Sequence, residues 1–244
     1  MSLRKVLFIS CLCFSFSFAL LAQEKVTFIA SDKLLVTADL YLVSDTMPYM
    51  ILCHDLKSSR GEYDEIAKKF NKLGYNCVAV DLRSGANFNG VTNETAVLAV
   101  LKHLPNTPLD AILDIQAAIA YANVKSNRNV VLVGSGYSAS LVLDLAATDK
   151  RVVSAFAFSP GDYFNGKFST KGIFSSLKNK PIFIASSRTE APDVKKYVAA
   201  IPTEKLTLFV PQKEGVHGAL ALAKTDPDYH DYWLSILMFI RQIP

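Results

Sequence analysis

Residues 130–147, VVLVGSGYSASLVLDLAA, decide the fold. Four β-favouring apolar residues in a row, Val130 to Val133, read as a strand buried on both faces. Gly134 and Gly136 then supply a sharp turn, and the apolar spacing from Tyr137 to Ala147 is that of a helix. A strand passing through a glycine-bearing turn into a helix is half of a βαβ unit, so the next strand is expected to lie parallel to this one.

The same rhythm extends in both directions. Upstream, residues 49–53 and 77–80 are short apolar strands. Between them, residues 63–73 carry Ile66, Ala67, Phe70 and Leu73 on one helical face, closed by Gly74. A helix over 109–124 precedes the turn, and a strand over 152–158 follows it. The chain ends with a strand at 181–185, a helix at 193–200, a strand at 206–210 and a helix at about 227–241. Residues 26–43 read as an antiparallel hairpin. The alternation predicts an α/β fold, a doubly wound and mostly parallel sheet with an N-terminal antiparallel hairpin. The connection over 159–180 is too short for a lid domain. The connection over 83–108 is long enough to be functional, with a helix in its middle at 94–104.

Composition bounds the rest. With 244 residues and 50% hydrophobic content the chain can bury one full core. Residues 1–22 combine basic Arg4 and Lys5 with an apolar run ending at small Ala22, the pattern of a signal peptide cleaved near Ala22. The expected organisation is therefore a signal peptide over 1–22 and one domain over 23–244, exported to a periplasm or secreted, with no stable membrane span after cleavage. Without Arg4 and Lys5 there are 24 basic residues against 22 acidic, too even a balance for nucleic acid. Cys53 and Cys77 remain, at opposite ends of neighbouring strands, and are expected as buried free thiols. No His/Cys cluster has metal-site spacing, and no cofactor is expected. Asn93-Glu94-Thr95 is a glycosylation sequon. Arg83 is expected to brace loops, and Trp233 to pack on the core.

Four local patterns carry a resemblance to the α/β-hydrolase fold over essentially the whole chain after residue 22, nearest to small lidless dienelactone-hydrolase-like members. Residues 49–85, YMILCHDLKSSRGEYDEIAKKFNKLGYNCVAVDLRSG, resemble the family's third strand, oxyanion loop, first helix and fourth strand. Residues 130–147 match its nucleophile elbow, G-x-S-x-G, with Gly134 first, Gly136 at the serine's place and Ser138 at the second glycine's. Residues 182–194, IFIASSRTEAPDV, offer the orienting acid. Residues 209–222, FVPQKEGVHGALAL, place His217 where the family has its base.

The resemblance implies a small ester or acyl substrate handled by a serine, histidine and acid mechanism. His217 is then the base and Glu190 its orienting acid, with Asp193 and Asp162 as alternatives. The N–H groups of Leu56 and Tyr137 are the oxyanion donors. The nucleophile stays open. Gly136 at the elbow leaves no hydroxyl; a register shifted by two residues offers Ser138, provided the strand runs on through Tyr137. Ser135 would precede the turn. Gly134, Gly136 and Ala139 also fit a weak dinucleotide fingerprint, G-x-G-x-x-A.

The family usually has His-Gly in the oxyanion loop, and here His54 is followed by Asp55. Asp55 is expected to point away from the site, where an oxyanion would repel it, and His54 to brace the loop. The alternative to an esterase-like enzyme is a catalytically impaired hydrolase that binds a ligand or protein partner. Oligomeric state is not fixed by the sequence.

Overall fold

Strands β3 (Tyr49–Cys53), β4 (Asn76–Val80) and β5 (Val130–Ser135) are buried at every residue, as parallel strands covered on both faces must be. They form the centre of an eight-stranded sheet in the computed structural model, which describes residues 23–166, 174–201 and 203–244. The expected signal peptide lies outside the described residues. β1 (Gln23–Ile29) and β2 (Leu35–Tyr41) form the antiparallel hairpin, and the remaining strands are β6 (Val152–Phe158), β7 (Ile182–Ala185) and β8 (Leu206–Phe209). Their order across the sheet is β1-β2-β4-β3-β5-β6-β7-β8. β2 also runs antiparallel to β4, and every later pairing is parallel. This is the doubly wound sheet that the alternation of elements predicts.

Successive strand residues face opposite helical layers. Ile51, Leu132 and Ala155 join the cluster under α3 (Ile112–Ser126) and α4 (Tyr137–Thr148). Met50, Val131 and Phe156 join the one under α1 (Asp64–Lys72) and α6 (Tyr229–Ile240). On the second face aromatic residues dominate. Phe156 stands edge-on to Phe239 at 5.0 Å between centroids, and Phe70 lies 5.1 Å from Trp233. Burying each such side chain contributes about 1.5–3 kcal/mol. On the first face α4 is buried all round for its first ten residues, from Tyr137 to Ala146, because β5, β6 and the 3₁₀ turn Phe174–Asn179 pack around it. Two short helices complete the chain, α2 (Glu94–Leu101) and α5 (Ala191–Tyr197).

Cys53 and Cys77 are buried free thiols. Cys53 pairs with Val80 and Cys77 with Met50, so they occupy opposite ends of the β3–β4 ladder. Asn93 of the sequon is 1% exposed and caps α2 by accepting the Ala96 N–H at 2.8 Å. In the folded chain it is a structural residue, closed to a glycosyltransferase. Arg83 is fully buried between Asp114 and Asp32, tying α3 to the β1–β2 turn. Trp233 packs on the core, with its indole N–H donated to Leu222 O at 3.0 Å.

Candidate active site

β5 ends at Ser135 and α4 begins at Tyr137, so Gly136 alone makes the turn, at φ 56° and ψ −120°. This is a conformation that side chains resist and glycine accepts. The turn is pinned by the Gly136 N–H donating to Phe158 O at 2.9 Å. Gly134 is needed for a different reason: a Cβ there would lie 2.6 Å from Ala139 Cα, because strand and helix cross almost in contact.

A Cβ built on Gly136 would fall inside the carboxylate of Asp55. Asp55 does not point away from the site, as its charge had suggested it should; it fills the space that the glycine leaves. Oδ1 accepts the Leu56 N–H at 2.7 Å. Oδ2 lies 3.0 Å from His217 Nε2. The physical reason is charge pairing: an inward carboxylate gains an imidazolium partner and a backbone donor, and no side chain competes for the space.

The other ring nitrogen of His217, Nδ1, is hydrogen-bonded to Glu190 Oε1. Asp55, His217 and Glu190 thus form a continuous row. With an acid on each nitrogen, led by Asp55 and then Glu190, the imidazole is held protonated, its pKa raised to about 10. Burial would raise the Glu190 carboxyl, but hydrogen bonds from His217, Ser159 and Ser187 outweigh it and hold the group at about 2. Ser159 Oγ donates to Glu190 Oε2 at 2.7 Å and the Ser187 N–H reaches the same oxygen at 3.1 Å.

Of the other residues singled out in the sequence, Ser138 is within the first turn of α4 and fully buried. Its hydroxyl is turned into backbone, 2.8 Å from Cys53 O and 2.9 Å from Ser135 O, and accepts the Ser135 N–H at 2.9 Å. The strand does not run on through Tyr137 as the shifted register needs, and Ser138 makes no hydrogen bond to His217. Ser135 Oγ accepts the N–H of Ala219, in the 3₁₀ turn Gly218–Leu222 that follows His217, at 2.9 Å.

Tyr137 is the first residue of α4, where backbone N–H groups have no partner within the helix. The Leu56 N–H is taken by Asp55. Asp162 accepts the N–H groups of Phe164 and Gly166 in its own turn, and Asp193 is exposed on α5. Neither joins the row.

His54 braces its loop: Nε2 accepts the Leu82 N–H at 2.9 Å, which leaves the proton on Nδ1 for Asp55 O at 2.7 Å. Burial pushes its pKa down to about 4, so it stays neutral.

Two contributors were missed in the sequence. Glu62 is buried directly behind the loop, and its Oε2 accepts the Asp55 N–H at 3.1 Å, fixing the backbone from which Asp55 reaches inward. Ser159, at φ 54°, bonds both Glu190 and the Gly218 N–H, the latter at 3.0 Å. A glutamate in the 3₁₀ turn Arg60–Tyr63 before α1 carries no motif, and for Ser159 only the Ser-Pro turn after β6 was a hint.

Beside the row opens a cleft of about 490 Å³, lined by Ser159, Pro160, Tyr163, Glu190, Val194 and Tyr197 among others. It sits at the carboxyl ends of the parallel strands, where ligands bind in open α/β sheets. Among the described residues no helix is long and apolar enough to cross a membrane.

By sequence, the chain matches no family model and no curated protein. By structure it is similar to an esterase of Pyrococcus furiosus, with a TM-score of 0.68 and 16% identity over 91% of this chain and 93% of that one. It is also similar to the α/β hydrolase GrgF of Penicillium sp. sh18, with TM-score 0.68, 14% identity and 91% and 99% coverage. A Klebsiella pneumoniae protein provisionally named a dienelactone hydrolase gives 0.63, 13%, 91% and 99%. At these identities the likeness is one of architecture, and together with the mostly parallel eight-stranded sheet and its antiparallel N-terminal pair it shows that the chain has the α/β-hydrolase fold.

Proposed function

We propose that this chain is an exported hydrolase-type protein acting on small, activated ester or acyl compounds, with a carboxylate–imidazolium pair standing where relatives of this fold carry a serine. The observation that carries the reading is the place of Asp55: its carboxylate occupies the volume of a Gly136 side chain and lies 3.0 Å from His217 Nε2. Export rests on the signal-like residues 1–22.

A water held against Asp55 gives it a proton while attacking the acyl carbon. The imidazolium of His217 gives its Nε2 proton to the leaving oxygen. The proton on Asp55 then crosses to His217, which restores the pair and leaves one acid and one alcohol per water consumed. Because Leu56 spends its N–H on Asp55, the Tyr137 N–H is left alone to meet the oxyanion. Loss of one such donor costs about 2.7–4 kcal/mol in the barrier. Slow turnover, confined to substrates with good leaving groups, is expected.

The occupied Leu56 N–H also favours a second reading, a catalytically impaired protein that binds its ligand in the adjacent cleft. Hydrolysis of p-nitrophenyl acetate separates the two. The first reading expects slow turnover that Asp55→Asn and His217→Gln abolish and Ser138→Ala leaves intact; turnover no faster than that of Asp55→Asn overturns it.

A further inference from the structure

The helical layer of α1 and α6 carries a second pocket that shares no residue with the Asp55–His217–Glu190 row. It is an open recess of about 340 Å³ between the end of α1 and the first turns of α6, with Leu73, Tyr229, Trp233 and Leu237 as apolar walls and Lys69, Lys72 and Lys224 beside them. Among the described residues, none of these three lysines forms an ion pair, although neighbouring Lys68 is paired with both Asp64 and Glu65. The Lys69 ammonium stands over two rings at once, 4.5 Å from the Tyr229 centroid and 4.7 Å from that of Trp233. Burial, and then the cations of Lys224 and Lys72, draw its pKa below the ordinary lysine value. Three ammonium groups gathered around an apolar recess repel one another, Lys224 and Lys72 acting on Lys69 more strongly than the Glu65 carboxylate that Lys68 already holds, and an anion seated there relieves that repulsion.

We propose that this pocket binds an organic carboxylate with an apolar tail. The carboxylate is held between Lys69, Lys72 and Lys224, and the tail lies along Leu73, Leu237 and the edge of Trp233. The apolar walls distinguish such a ligand from an inorganic anion, and the cation rim distinguishes it from an alcohol of the same length.

Trp233 is the single tryptophan of the chain and lines this pocket, so its fluorescence responds to a ligand seated there. Titration of the full chain with octanoate is expected to give a saturable change, with acetate and octanol each binding at least tenfold more weakly. Lys224→Gln, at an exposed position, and Leu237→Glu, which sets a negative charge in the wall, are each expected to weaken octanoate binding tenfold or more. Asp55→Asn is expected to leave it unchanged. Equal binding of octanol overturns the proposal, as does a response abolished by Asp55→Asn. A response to phosphatidylglycerol vesicles without one to octanoate also overturns it, assigning the patch to a lipid surface instead.

Discussion

Asp55 Oδ2 lies 3.0 Å from His217 Nε2, and Glu190 engages the opposite ring nitrogen, so one imidazole is shared by two carboxylates. In a serine hydrolase the histidine needs a neutral Nε2 to take the hydroxyl proton. Here that nitrogen is occupied and the ring is charged. Whatever chemistry the row performs begins from imidazolium, with His217 as proton donor.

That assignment sets the pH dependence. A folded-state pKa raised from 6.5 to about 10 means that the pairing stabilises the fold fully below the unfolded value and is lost as pH rises through about 10. The histidine NMR titration is therefore expected to show His217 protonated at pH 8. Asp55→Asn should move its midpoint downward. Any hydrolysis should lack the rising limb near pH 6.5 of a histidine base and fall off above about pH 10. A His217 midpoint near its ordinary value would remove the ion row.

The lowered Glu190 carboxyl predicts the acid side. Its stabilising bonds are present above the ordinary carboxylate range and are lost as pH falls through about 2, so Glu190→Gln should flatten the acid limb of a melting-temperature profile. The same variant should lower the His217 midpoint, because one of the two anions holding its proton is gone.

Arg83 and Asp114 are both fully buried and joined at 2.8 Å, with a second arm of Arg83 on Asp32. Arg83→Met leaves the Asp114 charge buried without its partner and is expected to cost about 3–5 kcal/mol in a denaturant melt. Removing both, as Arg83→Met with Asp114→Leu, should recover much of that loss.

Asn93 is expected to behave as a cap and not as a glycosylation acceptor. Its side chain accepts the Ala96 N–H and donates to Leu82 O at 3.0 Å. Asn93→Ala should cost about 1–3 kcal/mol. Chain made in a glycosylating host should carry no glycan at this position when folded, as intact mass will show.

The fold was legible because its signals are local. A run of four β-branched and leucine residues, two glycines and an apolar helix placed β5, Gly136 and α4 within two residues of where they lie, and the same grammar found the other strands. His217 and Glu190 could be placed by their order along the chain, after β8 and β7. The orientation of Asp55 could not be read this way. It depends on a void created far along the chain at Gly136, and on His217 coming within reach from a third segment. A charge argument made with only the oxyanion in mind gave the opposite direction. The strand that the Ser138 register needs stops short for a local reason: Gly136 at positive φ ends it at Ser135, two residues before Tyr137.

The central claim is that Asp55 fills the place of a nucleophile's side chain, and labelling with a fluorophosphonate tests it most directly. The account predicts no labelling of the parent chain and little of Gly136→Ser alone, whose Cβ collides with the Asp55 carboxylate. Gly136→Ser combined with Asp55→Gly should be labelled at residue 136, once the space and the Leu56 N–H are both released. Labelling of the parent at Ser138, or equal labelling of Gly136→Ser with and without Asp55→Gly, would contradict it.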